Sequence, residues 1–237
     1  MDTIEVIEPG FLTTVQDAGR YGYQRYGVPV AGAMDLFAFR AANLLVGNPE
    51  ENACLELTLL GPKLRFLIDT TIAVSGADLT PTLDGIAIPT WQQVKVTKGS
   101  IIEFQHARSG VRAYLSIAKG FDVPKVLGSR STYLKAVIGG LQGRPIQPGD
   151  ILHTLRTNLD GSQKNRKFPP AFIPSYVSDQ NLRVVMGPQD NFFSEEGIKT
   201  FLTSQYTVDN DSDRMGYHLD GPTVQHKNSA DIVSDGT

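Results

Sequence analysis

The sequence predicts a mainly β protein with few, short helices. Short runs rich in β-branched and aromatic residues recur along the 237-residue chain, for example at 71–74, 93–96, 101–104 and 111–117. Several of these runs alternate apolar and polar side chains, as strands with one buried face do. The 23 glycines and 14 prolines supply frequent turns between the runs. This composition favours a barrel or a sandwich over a parallel α/β sheet.

The first predicted helix runs from about Leu36 to Val46. Asp35 is placed to cap its N-terminus, and Gly47, followed by a proline two residues later, ends it. We expect this helix to bury one apolar face, formed by Phe37, Ala41, Leu44 and Leu45.

The second predicted helix begins after Ser194, a residue type that caps helix N-termini. Glu195 and Glu196 follow, and negative charges stabilise the positive end of a helix. We expect its buried face to consist of Ile198, Phe201 and Leu202.

A polar and then proline-rich segment at 157–180 predicts a linker. It separates a first domain, residues 1–156, from a second segment, residues 181–237. A β segment of that length, standing alone, has unpaired strand edges and a small core. We therefore expect the second domain to be incomplete in this chain.

Composition excludes several classes of partner. A net charge of −3 gives no electrostatic reason to expect nucleic acid or an anionic membrane surface. No apolar stretch approaches the roughly 20 residues that span a bilayer, and the N-terminus lacks a basic and apolar leader. The single cysteine, Cys54, allows no internal disulfide, and the four histidines have no metal-ligand spacing. We expect a cytoplasmic protein without a metal site.

The first candidate site is the loop at 13–23. Its polar residues and two glycines follow a predicted strand, which indicates an ordered, tightly turning loop. Asp17 and Arg20 are close enough in sequence to pair, and the pair would present a guanidinium to a carboxylate or carbonyl oxygen. The alternative is a structural Asp–Arg bridge that fixes the loop.

Two further segments concentrate groups that bind anions. Residues 28–35 lead into the first helix and expose backbone N–H groups there, although Asp35 as a cap would fill that position itself. Residues 128–132 and 139–144 combine hydroxyls, glycines and arginines, a combination that binds carboxylates, phosphates or carbonyl oxyanions. For residues 128–132 and 139–144 the alternative is a structural hairpin bend. Neither of these two ranges has the Gly-Lys-Ser/Thr ending of a Walker loop, which argues against nucleotide binding by this chain.

Taken together, these segments resemble one family: the C component of bacterial 5-oxoprolinase, also described as KipA-like or allophanate hydrolase subunit 2. Lys119-Gly120 departs from the usual Gly-Gly pair, and the family's later Gln-x-Pro and Gly-Gly-Tyr segments are not in the sequence. The matching stretches, in family order, are TTVQDAGRYGY (13–23), GVPVAGAMD (27–35), ANLLVGN (42–48), LELTLLGP (55–62), VLGSRST (126–132), GGLQGR (139–144), MGPQ (186–189) and SDRMG (212–216).

The resemblance implies tandem cyclophilin-like β-barrel domains, the second of them incomplete here. It also implies one component of an ATP-dependent hydrolase that cleaves the cyclic amide of 5-oxo-L-proline to L-glutamate. The partners would be a KipI-like B component and an A component of the same 5-oxoprolinase. ATP is used by the complex and is expected to bind elsewhere than on this chain, which alone is expected to be inactive.

The resemblance leaves two other functions open. In urea amidolyases, similar modules form a carboxyltransferase that moves a carboxyl group from carboxybiotin to urea; the biotin would then belong to another polypeptide. The KipA name implies a non-catalytic regulator that binds a KipI-like inhibitor of a sensor kinase. Gene neighbours would separate an oxoprolinase from a carboxyltransferase.

The family motifs define the predicted site residues. Asp17, Arg20 and Arg130 are predicted as catalytic, with the arginines binding anionic or carbonyl oxygens. Ser129, Thr132 and Arg214 are predicted to bind substrate. Arg214 is included because Arg214-Met215-Gly216-Tyr217 repeats the Arg-x-Gly-Tyr pattern that begins at Arg20.

Overall fold

The computed structural model describes residues 2–155, 165–177, 181–214 and 216–228. It divides the chain into two compact units, Met1–Ser178 and Asp179–Thr237. Much of the predicted linker, at 157–164 and 178–180, lies outside the described residues, as does residue 156. Within the rest of it, Phe168, Ile173 and Tyr176 pack against a buried cluster of the first unit. The linker itself stays a prediction.

Short strands dominate the first unit and outnumber the helices in the described chain as a whole, which confirms the predicted mainly β class. The two α-helices are α1 (Leu36–Val46) and α2 (Glu195–Thr203), and in the described parts of the chain neither is long and apolar enough to cross a membrane. The strands are β1 (Asp2–Glu8), β2 (Leu12–Gln16), β3 (Cys54–Thr58), β4 (Lys63–Phe66), β5 (Thr70–Asp78), β6 (Thr82–Leu83), β7 (Ile86–Ala87), β8 (Gln93–Val96), β9 (Ile101–Glu103), β10 (Ser109–Ile117), β11 (Ile151–His153), β12 (Thr207–Val208) and β13 (Leu219–Asp220).

The first unit contains two antiparallel sheets around one core. Their strand orders are β11-β1-β4-β9-β6-β7 and β2-β3-β10-β5-β8. The core cluster draws buried side chains from both sheets, such as Ile4 and Phe66 from the first and Leu55, Ile72 and Leu115 from the second. Each such fully buried side chain contributes roughly 1.5–3 kcal/mol of hydrophobic free energy. In β4 the buried Leu64 and Phe66 alternate with half-buried residues, so one side of this strand faces the core.

Helix α1 has the predicted bounds because its stop and start signals are local. The Asp35 carboxylate accepts a hydrogen bond from the Ala38 N–H at 2.9 Å, and Gly47 ends the helix at φ 81°. The predicted apolar face was only half right: Ala41 and Leu45 are buried, but Phe37 and Leu44 are 47% and 48% exposed. The helix packs on β5 and β10, and its buried face includes the three alanines of the helix. The buried residues are Ala38, Phe39, Ala41, Ala42, Asn43, Leu45 and Val46.

The second unit contains α2 and a two-stranded sheet formed by β12 and β13. The predicted cap is confirmed, since the Ser194 hydroxyl accepts a hydrogen bond from the Gly197 N–H at 3.0 Å. The predicted buried face was wrong for Phe201 and Leu202, which are 41% and 57% exposed. Gly197 is the buried residue of the helix, and it packs on the backbone of Gln225. The helix therefore meets the rest of its unit through Gly197, which no apolar pattern reveals, and through the Phe201 ring, whose centroid lies 5.8 Å from that of Tyr206.

Candidate functional site

Two segments far apart in sequence meet at the end of β2. The Thr132 N–H and hydroxyl both donate to the Val15 carbonyl oxygen, at 3.0 and 2.9 Å. The Gln16 side-chain amide in turn donates to the Thr132 carbonyl oxygen at 3.3 Å. Residues 129–132 thus continue the edge of the second sheet beside β2. Both loops singled out from the sequence, 13–23 and 128–132, lie side by side.

Both carboxylate oxygens of Asp17 accept hydrogen bonds at this junction between the 13–23 and 128–132 loops. Oδ1 accepts hydrogen bonds from the Gly19 N–H at 2.8 Å and from the Ser129 and Ser131 hydroxyls, each at 2.6 Å. Oδ2 accepts the Arg130 N–H at 2.5 Å. A carboxylate offers about four acceptor positions, so these donors occupy its capacity. Asp17 therefore holds residues 129–131 in place.

Arg20 lies deep in the same junction, with its side chain only 1% exposed. Its Nη2 donates to the Ser131 carbonyl oxygen. Its Nε and Nη1 are buried and have no hydrogen-bond partner within the described ranges. Burial lowers the pKa of the guanidinium, and the charge of Asp17 partly opposes that shift. A buried, charged group with two unsatisfied donors is rare in proteins.

The direct Asp17–Arg20 pair suggested by the sequence is not formed among the residues that the structure describes. Ser131 stands between them: its hydroxyl donates to Asp17, and its carbonyl oxygen accepts from Arg20. The reason is that the Asp17 carboxylate is already saturated by nearer donors. The guanidinium therefore keeps donors that a bidentate carboxylate would have occupied.

Two glycines allow the 139–144 segment to close over Arg20. Gly139 has φ +70°, and a Cβ there would overlap the Ser131 carbonyl oxygen and lie 2.7 Å from Arg20 Nη2. Gly140 has φ +51°, and a Cβ there would overlap the Thr132 hydroxyl. Its N–H donates to the Arg130 carbonyl oxygen at 2.9 Å. Only glycine fits positions that combine positive φ with such close approach.

The remaining predicted residues differ in their surroundings. Arg130 is half-buried, and its Nε donates to the Val123 carbonyl oxygen at 3.0 Å. Arg214 is half-buried in a turn of the second unit that is closed by a bridge between Asp213 and Gly216. The structure thus brings five of the six predicted residues together in the first unit, namely Asp17, Arg20, Ser129, Arg130 and Thr132.

Sequence reasoning missed Ser131 and Gln16 as members of this junction. Ser131 belongs to the VLGSRST stretch, so the motif signalled it, but nothing local showed that it bonds on both sides. Gln16 lies directly before Asp17, and its Oε1 is buried with no hydrogen-bond partner within the described ranges. A glutamine at the end of a short strand gives no such signal in the sequence.

The start of α1, the second candidate, is filled by the protein itself. Asp35 Oδ1 caps the helix and Oδ2 accepts the Tyr176 hydroxyl at 2.7 Å. The Tyr114 hydroxyl accepts the Asp35 N–H at 2.7 Å and donates to Glu56 at 2.9 Å. Burial, and then the neighbouring Glu56 charge, raises the pKa of Tyr114. The capping alternative is confirmed, and no anion site is needed at this position.

Cys54 is a buried free thiol. Burial raises the pKa of the Cys54 thiol to about 12, which keeps it protonated. Among the described residues, no group of three or more histidine, cysteine, aspartate or glutamate side chains has a metal-binding arrangement.

The family model for the carboxyltransferase domain, subdomain A and B, matches residues 26–237. The chain belongs to this family. The C component of Escherichia coli (strain K12) 5-oxoprolinase is 34% identical to this carboxyltransferase-domain chain over 233 residues, and the alignment covers 98% of the chain and 73% of that component. The predicted resemblance is thereby confirmed.

Relatives of a second kind are much longer proteins. Urea amidolyase of Saccharomyces cerevisiae is 39% identical to the carboxyltransferase-domain chain over 231 residues, which are 92% of the chain but 12% of that protein. The crystal structure of Kluyveromyces lactis urea carboxylase superposes with a TM-score of 0.87 at 38% identity, over 94% of the chain and 21% of that structure. The chain therefore spans about an eighth of urea amidolyase, and about three quarters of the 5-oxoprolinase component.

Proposed function

We propose that this chain is the C component of an ATP-dependent 5-oxoprolinase, which cleaves 5-oxo-L-proline to L-glutamate together with a KipI-like B component and an A component. The observation that carries the proposal is the buried Arg20 guanidinium with two unsatisfied donors. Cleaving an unactivated amide develops negative charge on its carbonyl oxygen. A fixed, desolvated cation stabilises that charge more strongly than water does.

The proposed roles follow the contacts of each residue. Arg20 and Arg130 bind the carbonyl or carboxylate oxygens of the substrate. The substrate-binding role of Arg214, a residue of the second unit, stays a prediction from the sequence. Asp17 is a positioning residue, because its four hydrogen bonds hold the segment that orients Arg20. Ser129 and Thr132 serve the same segment, since the Ser129 hydroxyl is bonded to Asp17 and the Thr132 hydroxyl to the Val15 carbonyl.

The nucleotide is assigned to another polypeptide of the complex. ATP binding requires a cradle of backbone N–H groups and a cation for several phosphate oxygens, whereas the Arg20 junction offers two donors of one buried guanidinium. ATP then supplies the driving force for an otherwise unfavourable amide cleavage. We also propose a cytoplasmic location, because the single cysteine is a buried free thiol and needs no oxidising compartment.

A second candidate is the carboxyltransferase component of a biotin-dependent urea carboxylase. It is favoured by the identity to urea amidolyase, 39% against 34% for the 5-oxoprolinase component. Biotin carried on another polypeptide would supply the carboxyl group. Arg20 would stabilise negative charge here as well, because deprotonating a urea nitrogen for attack on the carboxyl group places negative charge on the urea carbonyl oxygen.

The test is reconstitution of the chain with the A and B components of the proposed complex. We expect ATP-dependent release of glutamate from 5-oxoproline, measured alongside biotin-dependent carboxylation of urea. Arg20→Met should lower kcat by about 100- to 1000-fold, the range found when one oxyanion donor is removed. The control is Arg144→Met, because Arg144 is fully paired with Asp150 at 2.7 and 2.9 Å and lies outside the proposed machinery.

Each outcome separates the candidates. Glutamate release that Arg20→Met leaves intact contradicts the role of Arg20. Urea carboxylation without glutamate release favours the second candidate. Tight binding to the KipI-like B component without either activity favours a KipA-like regulator and contradicts both enzyme proposals.

A further inference from the structure

A cavity of about 840 Å³ opens on the second sheet of the first unit. Its lining includes Asp78 of β5 and Ser109 of β10, together with Ile88, Trp91 and Tyr176. None of the residues that line it belongs to the junction around Arg20. Small-molecule sites are typically cavities of about 300–1,000 Å³ with mostly apolar walls and a few polar groups. The cavity has the size and lining of a ligand site.

Local backbone irregularity creates this cavity and hydrogen bonds hold its walls. Strands β5 and β10 change register between Ser109 and Ala113, where Gly76 has φ +82° and packs on the Arg112 carbonyl oxygen. The Trp91 N–H donates to the Val74 carbonyl oxygen at 2.6 Å. Gly76 and Trp91 both line the cavity, so the register shift and this bond fix part of its lining. The cavity is therefore formed before any ligand arrives.

The opposite wall is held through Tyr176. Its hydroxyl donates to Asp35 Oδ2 at 2.7 Å, at the cap of α1. Burial, and then the bond to Asp35, raises the pKa of Tyr176, so its phenol is neutral. Tyr176 thus contributes a ring to the cavity and no charge.

Asp78 is the one formally charged residue among those that line the cavity. It is half-buried, and its Oδ1 accepts the Thr80 N–H at 2.9 Å. Within the described ranges, no residue donates a hydrogen bond to Oδ2 and no cation pairs with Asp78. The other lining groups are hydroxyls, an amide and apolar side chains, including Ile88, Trp91 and three prolines. A carboxylate without a counterion beside apolar walls attracts a cation that also has an apolar part.

We propose that this cavity binds a small organic cation, an alkylammonium or guanidinium compound, whose charged group contacts Asp78 and whose apolar part packs against Ile88 and Trp91. The indole ring adds attraction for a cation near its face. This goes beyond the proposed enzyme function, which uses the cationic Arg20 junction for negatively charged or carbonyl oxygens. The two sites have opposite charge and share no residue.

The chain carries its own reporter for this site. Trp91 is the single tryptophan, so tryptophan fluorescence of the full chain follows the cavity alone. Titration with n-butylammonium chloride should give a saturable change. The same-sized neutral n-butanol should bind up to about fivefold more weakly, because it lacks an ion pair worth up to about that factor. Sodium butanoate should bind more weakly still, because Asp78 repels it.

Asp78→Asn removes the charge and keeps an oxygen for the Thr80 N–H. We expect it to weaken n-butylammonium binding to the level of n-butanol. The matched control is Asp69→Asn: Asp69 also accepts one backbone N–H, from Lys98 at 2.7 Å, and it does not line the cavity. The control should bind as the unmodified chain does.

A second pair of variants tests the geometry without removing Asp78. Ser109 lies opposite Asp78 in the β5–β10 register and is exposed. Ser109→Lys places an ammonium beside Asp78 and should abolish n-butylammonium binding, whereas Ser109→Glu should strengthen it. Equal affinities for n-butylammonium and n-butanol would overturn the proposal. So would unchanged binding in a folded Asp78→Asn or Ser109→Lys chain, or the absence of any saturable response.

Discussion

Replacing Asp17 by alanine should destabilise the first unit by about 3–5 kcal/mol. Asp17 is 7% exposed and accepts four hydrogen bonds, from the Gly19 and Arg130 N–H groups and the Ser129 and Ser131 hydroxyls. Hydrogen bonds to charged groups each contribute roughly 1.5–3 kcal/mol. The four share one carboxylate, so their effects are not additive. Losing the equivalent of about two such hydrogen bonds, together with the negative charge near Arg20, gives a destabilisation of about 3–5 kcal/mol.

Asp17→Asn separates the charge from the shape. Its amide oxygen keeps the three donors of Oδ1, but its NH2 group then faces the Arg130 N–H across 2.5 Å. One donor-to-donor contact in a buried site costs about 1–3 kcal/mol. We therefore expect the unmodified chain to be the most stable, the Asp17→Asn variant to be intermediate and the Asp17→Ala variant to be the least stable.

Urea unfolding followed by tryptophan fluorescence is the appropriate assay, because Trp91 lies in the first unit. Asp69→Ala is the control: an exposed aspartate that accepts a single backbone N–H should cost at most about 1 kcal/mol. If Asp17→Ala lost no more stability than Asp69→Ala, the hydrogen-bonded carboxylate would not be what holds this junction together, and the reasoning would fail.

Two further predictions concern a glycine and the cysteine. Gly139→Ala should destabilise the chain by at least about 2 kcal/mol more than Gly128→Ala, measured by urea unfolding: both have positive φ, but only at Gly139 does a Cβ meet other atoms. Equal losses would contradict the close packing over Arg20. Cys54, with a pKa of about 12, should react with DTNB at pH 8 only after unfolding, because about one thiol in ten thousand is ionised when folded. Since this pKa is raised, the associated stability is complete below about pH 9 and decreases as the pH rises towards 12. Rapid reaction of the native chain would contradict its burial.

Local signals explain what the sequence predicted well. The bounds of α1 follow from Asp35 and Gly47, each of which bonds within four residues of itself. The cap of α2 at Ser194 has the same origin. The mainly β class follows from the short β-branched and aromatic runs, such as those in β5 and β10, between turn residues. In each case the interactions that decide the structure lie within a few residues of each other.

Long-range contacts explain what the sequence could not show. Asp17 bonds to residues 112 to 114 positions away, and Arg20 bonds to a carbonyl oxygen 111 positions away. The sequence places Asp17 and Arg20 three residues apart, so a direct pair was the natural expectation. Whether two near neighbours pair depends on which other donors the fold brings to the carboxylate. The same holds for Tyr114, which reaches Asp35 from 79 positions away and carries no local signal.

The indirect link through Ser131 has a chemical consequence for Arg20. A carboxylate paired side by side with a guanidinium occupies two of its donors and cancels most of its field. Here Asp17 acts from a distance, so it offsets part of the desolvation of the cation without occupying Nε or Nη1. A buried cation with only part of its donors bonded destabilises the folded chain. Gly139 and the hydrogen-bonded Asp17 carboxylate nevertheless hold the Arg20 side chain in place. A cation held in this way is preorganised for an oxygen that becomes negative during reaction, because no existing ion pair has to break before the new one forms.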